Sequence, residues 1–504
     1  MTVKRLALHP GTSCLTQDLW RERNLSMADK LKTDRLELIA KSQQFMGQYH
    51  KLKEAGFISR RGDFFPSVHY PPITMYPRAT QTDLFHSYKL PHDRLFDVYA
   101  HLPFCQQRCL FCHYPVRLGN RDSEKDIYLN ALEKEMDLYL QVLGLRQVKT
   151  RSILVGGGTP TFLSPAQLKR FLGFFVKRLD ISRCEQFNYD VDPTTLIGSD
   201  GRERLCILRD HGVNRLTIGV QSLNDQTLAN MNRHHTVAES LKSIEESRKL
   251  GFKLNIEFIF GYPGQTLASW LDDIEMAMTL DVDEIQLYRL KVGAYGDYQG
   301  PIRDLIEKRS VNALDDDETL SMKKTAIDLL ASNGFKENIR RVFSRTVNDY
   351  SRYAWNQCCL LYDQIGFGLT AFSSLRDRFV LNTQSFDEYY AMIADGKLPV
   401  NRGLVRSREE QMRWGMILPL KNSFVLKSRF QEVTGGSIEF FRDTIEKLKQ
   451  YDLLVEDDMK VQTTPLGAFF ADEVVQQFHN AEYIPFPCDD YAPGPVNPYC
   501  GQQS

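Results

Sequence analysis

At 504 residues the chain exceeds what one ordinary core accommodates, and its length implies roughly three domains or one large barrel with additions. Hydrophobic residues make up 42% and charged residues 25%, the formal charge is −1, and Lys and Arg form no run, which excludes a disordered chain and a nucleic-acid-binding surface. No stretch of about 20 apolar residues occurs, and ten cysteines are too sparse for a disulfide scaffold, so a cytoplasmic protein with free thiols and no membrane span is expected.

Residues 1–92 read as an arm, helical over 27–53 and then rich in Pro and Tyr over 64–91. Residues 70–91 stand just before the first strand-like run, where they can reach the side on which reactive groups gather, and they are expected to form a lid.

Over 93–300, six strand-like runs alternate with helical patterns: FDVYAHLP from Phe96, SILVGG from Ser152, FNYDVDP from Phe187, RLTIGV from Arg215, LNIEFIFG from Leu254 and EIQLYRL from Glu284. Between the second and third, Ser164 and Pro165 read as cap and first turn, and Leu168, Phe171, Leu172 and Phe175 repeat at helical spacing. Six such units imply a parallel sheet, because parallel neighbours need a crossover helix. The fold class is α/β, a partial (β/α)6 barrel, and its reactive residues belong just past the strand C-termini. The unusual residues fall there. Cys105, Cys109 and Cys112 follow the first run and Gly156, Gly157, Gly158 and Thr159 the second; Asp190 and Asp192 close the third, Gln221 ends the fourth and Glu257 lies within the fifth.

Residues 301–404 read as a barrel extension completing the site, with a Gly-rich apolar stretch over 361–373. Residues 405–480 read as a small, mostly helical module with Ile438, Phe441, Ile445 and Leu448 on one face and a strand-like pair around Leu454 and Val461. It lacks the basic stripe of a DNA-binding winged helix and is expected to be a packing domain. Residues 481–504 read as a mobile tail carrying Cys488 and Cys500, whose functional alternative is an extra cluster ligand or hydrogen donor reaching the barrel mouth.

HLPFCQQRCLFCHY gives C-x3-C-x2-C in one short loop. Three thiolates can hold three irons of a cubane and leave the fourth iron open. The alternatives are unrelated buried cysteines or a structural zinc, which needs a fourth ligand for which His113, next to Cys112, is poorly placed.

This motif, with HLPF before it and GGGTP after it, resembles the radical S-adenosylmethionine (SAM) superfamily, and in particular its HemN-like branch of coproporphyrinogen dehydrogenases, haem chaperones and related methylases. YPPITMYP, YDVDP, NRLTIGVQS, NRHH, IEFIFGYPGQT and IGFGLTAFS extend the likeness from about Tyr70 to Phe478. The resemblance implies a [4Fe-4S] cluster on Cys105, Cys109 and Cys112 with SAM at the open iron. It implies that Tyr99 and Phe111 flank cluster and SAM, that backbone groups of Gly157, Gly158 and Thr159 meet the SAM aminocarboxylate, and that Phe372 contacts the adenosine. Asp190 stands at a SAM-contacting Glu position. Gln221, Arg233 and Glu257 match a second SAM site, Glu257 standing in place of Asp, and Tyr99 and Glu257 are the candidate catalytic residues.

The dehydrogenases carry a further Cys where this chain has Tyr114, and SRYAWNQCC lacks the HN-x2-YW mark of the chaperones. What remains is the methylase and cyclopropanase group, so the resemblance implies carbon transfer from a second SAM to a small molecule. The alternatives are decarboxylation of coproporphyrinogen, with Arg340, Arg341, Arg345 and Arg352 pairing with substrate carboxylates unless they are merely a solvated helix face, and delivery of haem. An electron donor of flavodoxin or ferredoxin type is the expected partner.

Overall fold

The computed structural model describes residues 34–60, 69–119, 121–292, 300–308, 310–346 and 349–499. The six runs form β1 Leu95–Leu102, β2 Val148–Gly157, β3 Gln186–Val191, β4 Arg215–Gln221, β5 Lys253–Phe260 and β6 Glu284–Arg289. Each pairs in parallel with its neighbour in sequence. The crossover helix Pro165–Lys177 begins where its sequence dictates: Ser164 and Gln167 cap each other, Pro165 takes the first turn, and Leu168, Phe171, Leu172 and Phe175 are buried.

The sheet continues beyond these strands at both ends. β6 pairs with an antiparallel hairpin, β7 Lys336–Ile339 and β8 Val342–Ser344. On the other side β1 pairs in parallel with β9 Gln364–Phe367, which leads into the antiparallel strands β10 Phe372–Leu375, β11 Arg378–Asn382 and β12 Val400–Val405. The partial barrel therefore has a seventh parallel strand beyond the six expected. It lies within the stretch read only as Gly-rich and apolar, being four residues long, containing Gly366 and followed by Gly368.

The arm divides in two. Helix Arg35–Glu54, capped by Asp34, lies on helix Asp316–Ser332 and brings Phe45 against Phe469 and Phe470; residues 27–33 of the expected helix fall outside the described residues. Residues 77–79 pair with β12, the amide of Ala79 donating to Asn401 O at 3.2 Å and that of Gly403 to Pro77 O at 3.1 Å. Tyr88 OH donates to Asp363 at 2.7 Å. The expected lid is thus a strap along the antiparallel edge of the sheet, where an unpaired strand offers its N–H and C=O groups to any extended segment.

The C-terminal module buries Ile438, Phe441, Ile445 and Leu448 as expected; the strand-like pair around Leu454 and Val461 is Leu454–Glu456 against Lys460–Thr463, to which Phe424–Leu426 adds a third antiparallel strand. The tail departs from expectation. Ile484, Phe486, Tyr491 and Val496 are buried, Tyr491 bridges Ser59, and a Cβ on Gly494 would stand 2.0 Å from Ala55 O. Val496 joins the core that holds Met46, Tyr49 and Leu52 of helix Arg35–Glu54, while Ile484, Phe486 and Tyr491 cluster with Tyr499. Cys488 is exposed beside Tyr499 on this surface rather than at the barrel mouth, and Cys500 lies outside the described residues.

Barrel and module meet at Asp472, which is fully buried. The β7–β8 turn places Arg340 on its carboxylate, Lys421 stands 2.9 Å away and Arg341 3.7 Å away. Burial pushes this carboxyl up, but the three cations outweigh it and hold it below the usual carboxylate range. The other two arginines of the expected carboxylate-binding group are likewise engaged: Arg345 donates to Asn333 O and Met278 O at 3.1 Å each, and Arg352 to Tyr350 OH at 2.9 Å. None of the four forms a solvated helix face. Removing Asp472 leaves buried cations without their counter-ion, so Asp472→Ala is expected to cost about 3–5 kcal/mol, read as a lower midpoint in urea unfolding.

Candidate functional site

The cysteine loop leaves the C-terminal end of β1 and has little regular structure of its own, so other segments hold it. Leu110 N donates to Met231 O at 3.1 Å, Asn232 Nδ2 to Arg108 O at 2.8 Å, Gln107 Nε2 to Asn232 O at 2.7 Å, and Ile302 N to Leu110 O at 2.9 Å. His113 donates from Nε2 to Lys291 O at 2.7 Å and accepts at Nδ1 from Gly300 N at 2.8 Å. Both its nitrogens are occupied, which removes it as a zinc ligand. Among the described residues no three His, Cys, Asp or Glu side chains gather on one point as a single ion requires; in a cubane each thiolate binds a different iron.

All three cysteines are partly buried. Cys105 Sγ accepts from Thr159 Oγ1 at 3.7 Å, and Cys109 Sγ from Arg233 Nη1 at 3.2 Å. Donors aimed at sulfur are what stabilise the negative charge of cluster thiolates. A Cβ on Gly158 would lie 2.8 Å from Cys105 Sγ and 2.7 Å from Phe104 O, so only glycine lets the second strand's loop press on the first. These features fit a cluster held by three cysteines.

In that loop the amides of Gly158 and Thr159 donate to Leu102 O at 2.9 Å and Phe104 O at 2.7 Å. With those donors taken, the segment offers a ligand its carbonyls, which suit an ammonium rather than a carboxylate.

Asp192, on the third loop, is 4% exposed and accepts from Arg233 Nη2 at 2.7 Å and from Thr194 N at 3.0 Å. Burial favours its neutral form, but Arg233 and His234 prevail and keep it ionised. Arg233 Nη2 also donates to Gly219 O at 3.0 Å. Gln221 ends β4 at φ 68°, a left-handed conformation rare for a residue with a side chain, and its amide folds back over Gly219.

Inside the barrel Asp190 of β3 and Glu257 of β5 face one another across β4. Asp190 accepts from Asn188 Nδ2 at 3.1 Å, and Glu257 from Tyr288 OH at 3.3 Å, itself bonded by Gln286 at 2.5 Å. Burial raises both carboxyls well above the usual range; the Asp190 charge raises Glu257 further, while Arg215 lowers Asp190 in part. Below them a buried ion pair of Arg215 and Glu284, with Asn188 and Thr217 also bonded to Arg215, floors the chamber.

Tyr99 OH lies 2.9 Å from His101 Nδ1, and His101 Nε2 lies 3.5 Å from Thr370 Oγ1. Burial lowers His101 to about 4, so it is neutral. Phe111 packs among Met231, Ile259 and Ile302, while Phe372 stacks on Phe379 at 5.2 Å and meets His69 edge-on at 4.3 Å. His101, Tyr288 and Gln286 escaped sequence reasoning. The signal was the alternation of strand residues, which turns every second side chain of β1 and β6 inward.

Residues 99–277 match the family model described as Radical SAM superfamily. The heme chaperone HemW of Bacillus subtilis is 28% identical over 388 residues, covering 75% of this chain and 98% of that protein. The oxygen-independent coproporphyrinogen III oxidase of Helicobacter pylori is 24% identical over 441 residues, covering 81% and 93%. The solved structure of coproporphyrinogen III oxidase (HemN) from Escherichia coli matches with a TM-score of 0.65 at 22% identity, over 84% of this chain and 94% of that one, and so shares its fold.

Two outcomes follow from the geometry. Gly158→Ala forces its methyl into Phe104 and Cys105, costing about 1–3 kcal/mol, and should lower the iron bound per chain after anaerobic reconstitution. In the unfolded chain Asp190 and Glu257 ionise in the ordinary range, so the folded state holds more protons and loses stability as pH rises through neutrality. The apoprotein should melt lower at about pH 9 than at about pH 6, and Glu257→Gln should flatten that dependence in thermal melts.

Proposed function

We propose, for a chain that carries a radical SAM domain and is homologous to the HemN and HemW proteins, that it cleaves SAM reductively and directs the resulting radical at a tetrapyrrole. The observation that carries the first part is the loop of three partly buried cysteines, two of whose sulfurs accept from Thr159 and Arg233. Cys105, Cys109 and Cys112 would hold a [4Fe-4S] cluster, which when bound would supply the one electron that cleaves SAM into methionine and the 5′-deoxyadenosyl radical.

The chain's own residues bind and orient. Carbonyls of the Gly157–Gly158 segment accept from the SAM ammonium, and Tyr99, Asp190 and Glu257 line the chamber that receives the rest. A sulfonium cation favours ionisation of the Asp190–Glu257 pair, which releases the proton that burial retains there. The closed floor keeps water from the radical. A low-potential donor of flavodoxin or ferredoxin type supplies the electron.

The tetrapyrrole comes from the relatives, one named a heme chaperone and another a coproporphyrinogen III oxidase. Carbon transfer from a second SAM has no such support: Arg233, matched to the second site, is committed to Cys109, Asp192 and Gly219, and neither relative is named as an alkylating enzyme. Propionate binding by Arg340, Arg341, Arg345 and Arg352 loses its basis too, since all four bond within the chain.

Reconstituted protein given dithionite and SAM should release 5′-deoxyadenosine and methionine, and Cys109→Ala should release neither. Full cleavage by that variant refutes the cluster assignment. Offered coproporphyrinogen III with SAM and reductant under anaerobic conditions, the protein should form vinyl products; stoichiometric binding of haem with no such products would overturn the radical step on the tetrapyrrole and favour haem delivery. If both tetrapyrroles emerge unbound and unchanged, the substrate class is wrong.

A further inference from the structure

Arg233 is brought to the cysteine loop by a segment that clasps it. Met231 O and both the backbone and side chain of Asn232 bond the loop at Leu110, Gln107 and Arg108. The next residue then delivers a guanidinium to Cys109 Sγ at 3.2 Å. Asn232 takes φ 56°, left-handed, at the turn that aims it. The guanidinium is fixed from behind by Asp192 at 2.7 Å and Gly219 O at 3.0 Å, and its side chain is 10% exposed. Asp192 is itself held by Thr194 N at 3.0 Å, Thr194 Oγ1 at 2.8 Å and His234 Nε2 at 3.2 Å. A cation so thoroughly braced against one of three matching cysteines does more than fill space.

We propose that Arg233 is a positioning residue that sets the reduction potential of the cluster through Cys109, with Asp192 as the counter-charge limiting its effect. This rests on the reading that the three cysteines hold a [4Fe-4S] cluster. Reduction adds one electron to the cluster and no bond is made or broken, so the more negative reduced form gains most from a nearby positive charge and from hydrogen bonds to sulfur. Arg233 therefore raises the potential, easing electron entry from a biological donor. Asp192 acts with the opposite sign, because its carboxylate offsets part of that charge in a poorly solvated setting.

The two signs provide the test. Reconstituted parent, Arg233→Met and Asp192→Asn are titrated with dithionite in the absence of SAM, following the reduced cluster by electron paramagnetic resonance, with iron counted per chain. Arg233→Met should shift the midpoint to more negative potential and Asp192→Asn to more positive, with Arg233→Lys between Arg233→Met and the parent. A role confined to holding the loop would change iron content without this opposed pair of shifts. Variants that hold iron like the parent but titrate at its potential overturn the proposal. Should Arg233→Met fail to load, Arg233→Lys decides by the same criterion, and Asp192→Asn supplies an independent reading. A parent that takes up no cubane instead refutes the cluster assignment, so the two failures are distinguishable.

Discussion

Everything in this molecule depends on fastening an irregular loop that must present three sulfurs. A loop of this length cannot organise itself, since its backbone groups need partners and it contributes few of them internally. The partners come from the end of β2, from Met231 and Asn232 beyond the short helix that follows β4, and from Lys291, Gly300 and Ile302. They arrive together because a parallel sheet sends every strand's C-terminal end to the same side. The sheet order thus serves less to enclose a core than to bring separate clasps to one address.

Beneath that address the barrel interior is unusually polar. Arg215 and Glu284 form a buried pair whose desolvation is offset only if their remaining groups are bonded, and Asn188 and Thr217 meet that need on the arginine side. Higher up, the carboxyls of Asp190 and Glu257 have no such cation within bonding distance among the described residues, and their proton stays with the protein. An apolar filling would be more stable. The interior instead keeps two carboxyls that burial holds protonated, which leaves the protein less stable than its fold permits.

Much of this was legible in the sequence. Six strands, the capped helix after β2 and the position of the cysteines past β1 follow from period-two and helical patterning with turn chemistry. What was not legible shares a cause: it depends on contacts between distant segments. β9 is too short and too rich in glycine to announce itself, and it becomes a strand because β1 offers an unpaired edge. The tail reads as mobile from its prolines, yet Ile484, Phe486 and Tyr491 cluster with Tyr499, Tyr491 joins Ser59 of the arm to Gln476 of the module, and Val496 enters the core those two share. Arg233 stood out in the sequence as a candidate, but its partner Cys109 lies 124 positions away, and no local pattern reports that contact.

Gln221 shows what such a site demands of its backbone. At φ 68° a glycine would sit without strain, whereas a residue with a Cβ gives up roughly 1–3 kcal/mol. A chain shaped by thermostability alone would carry glycine there, as it does at Gly157 and Gly261, which also have positive φ. The amide over Gly219 is therefore held against a standing mutational pressure. In a library selected only for folding, glycine should accumulate at position 221, and the amide over Gly219 would be lost with it.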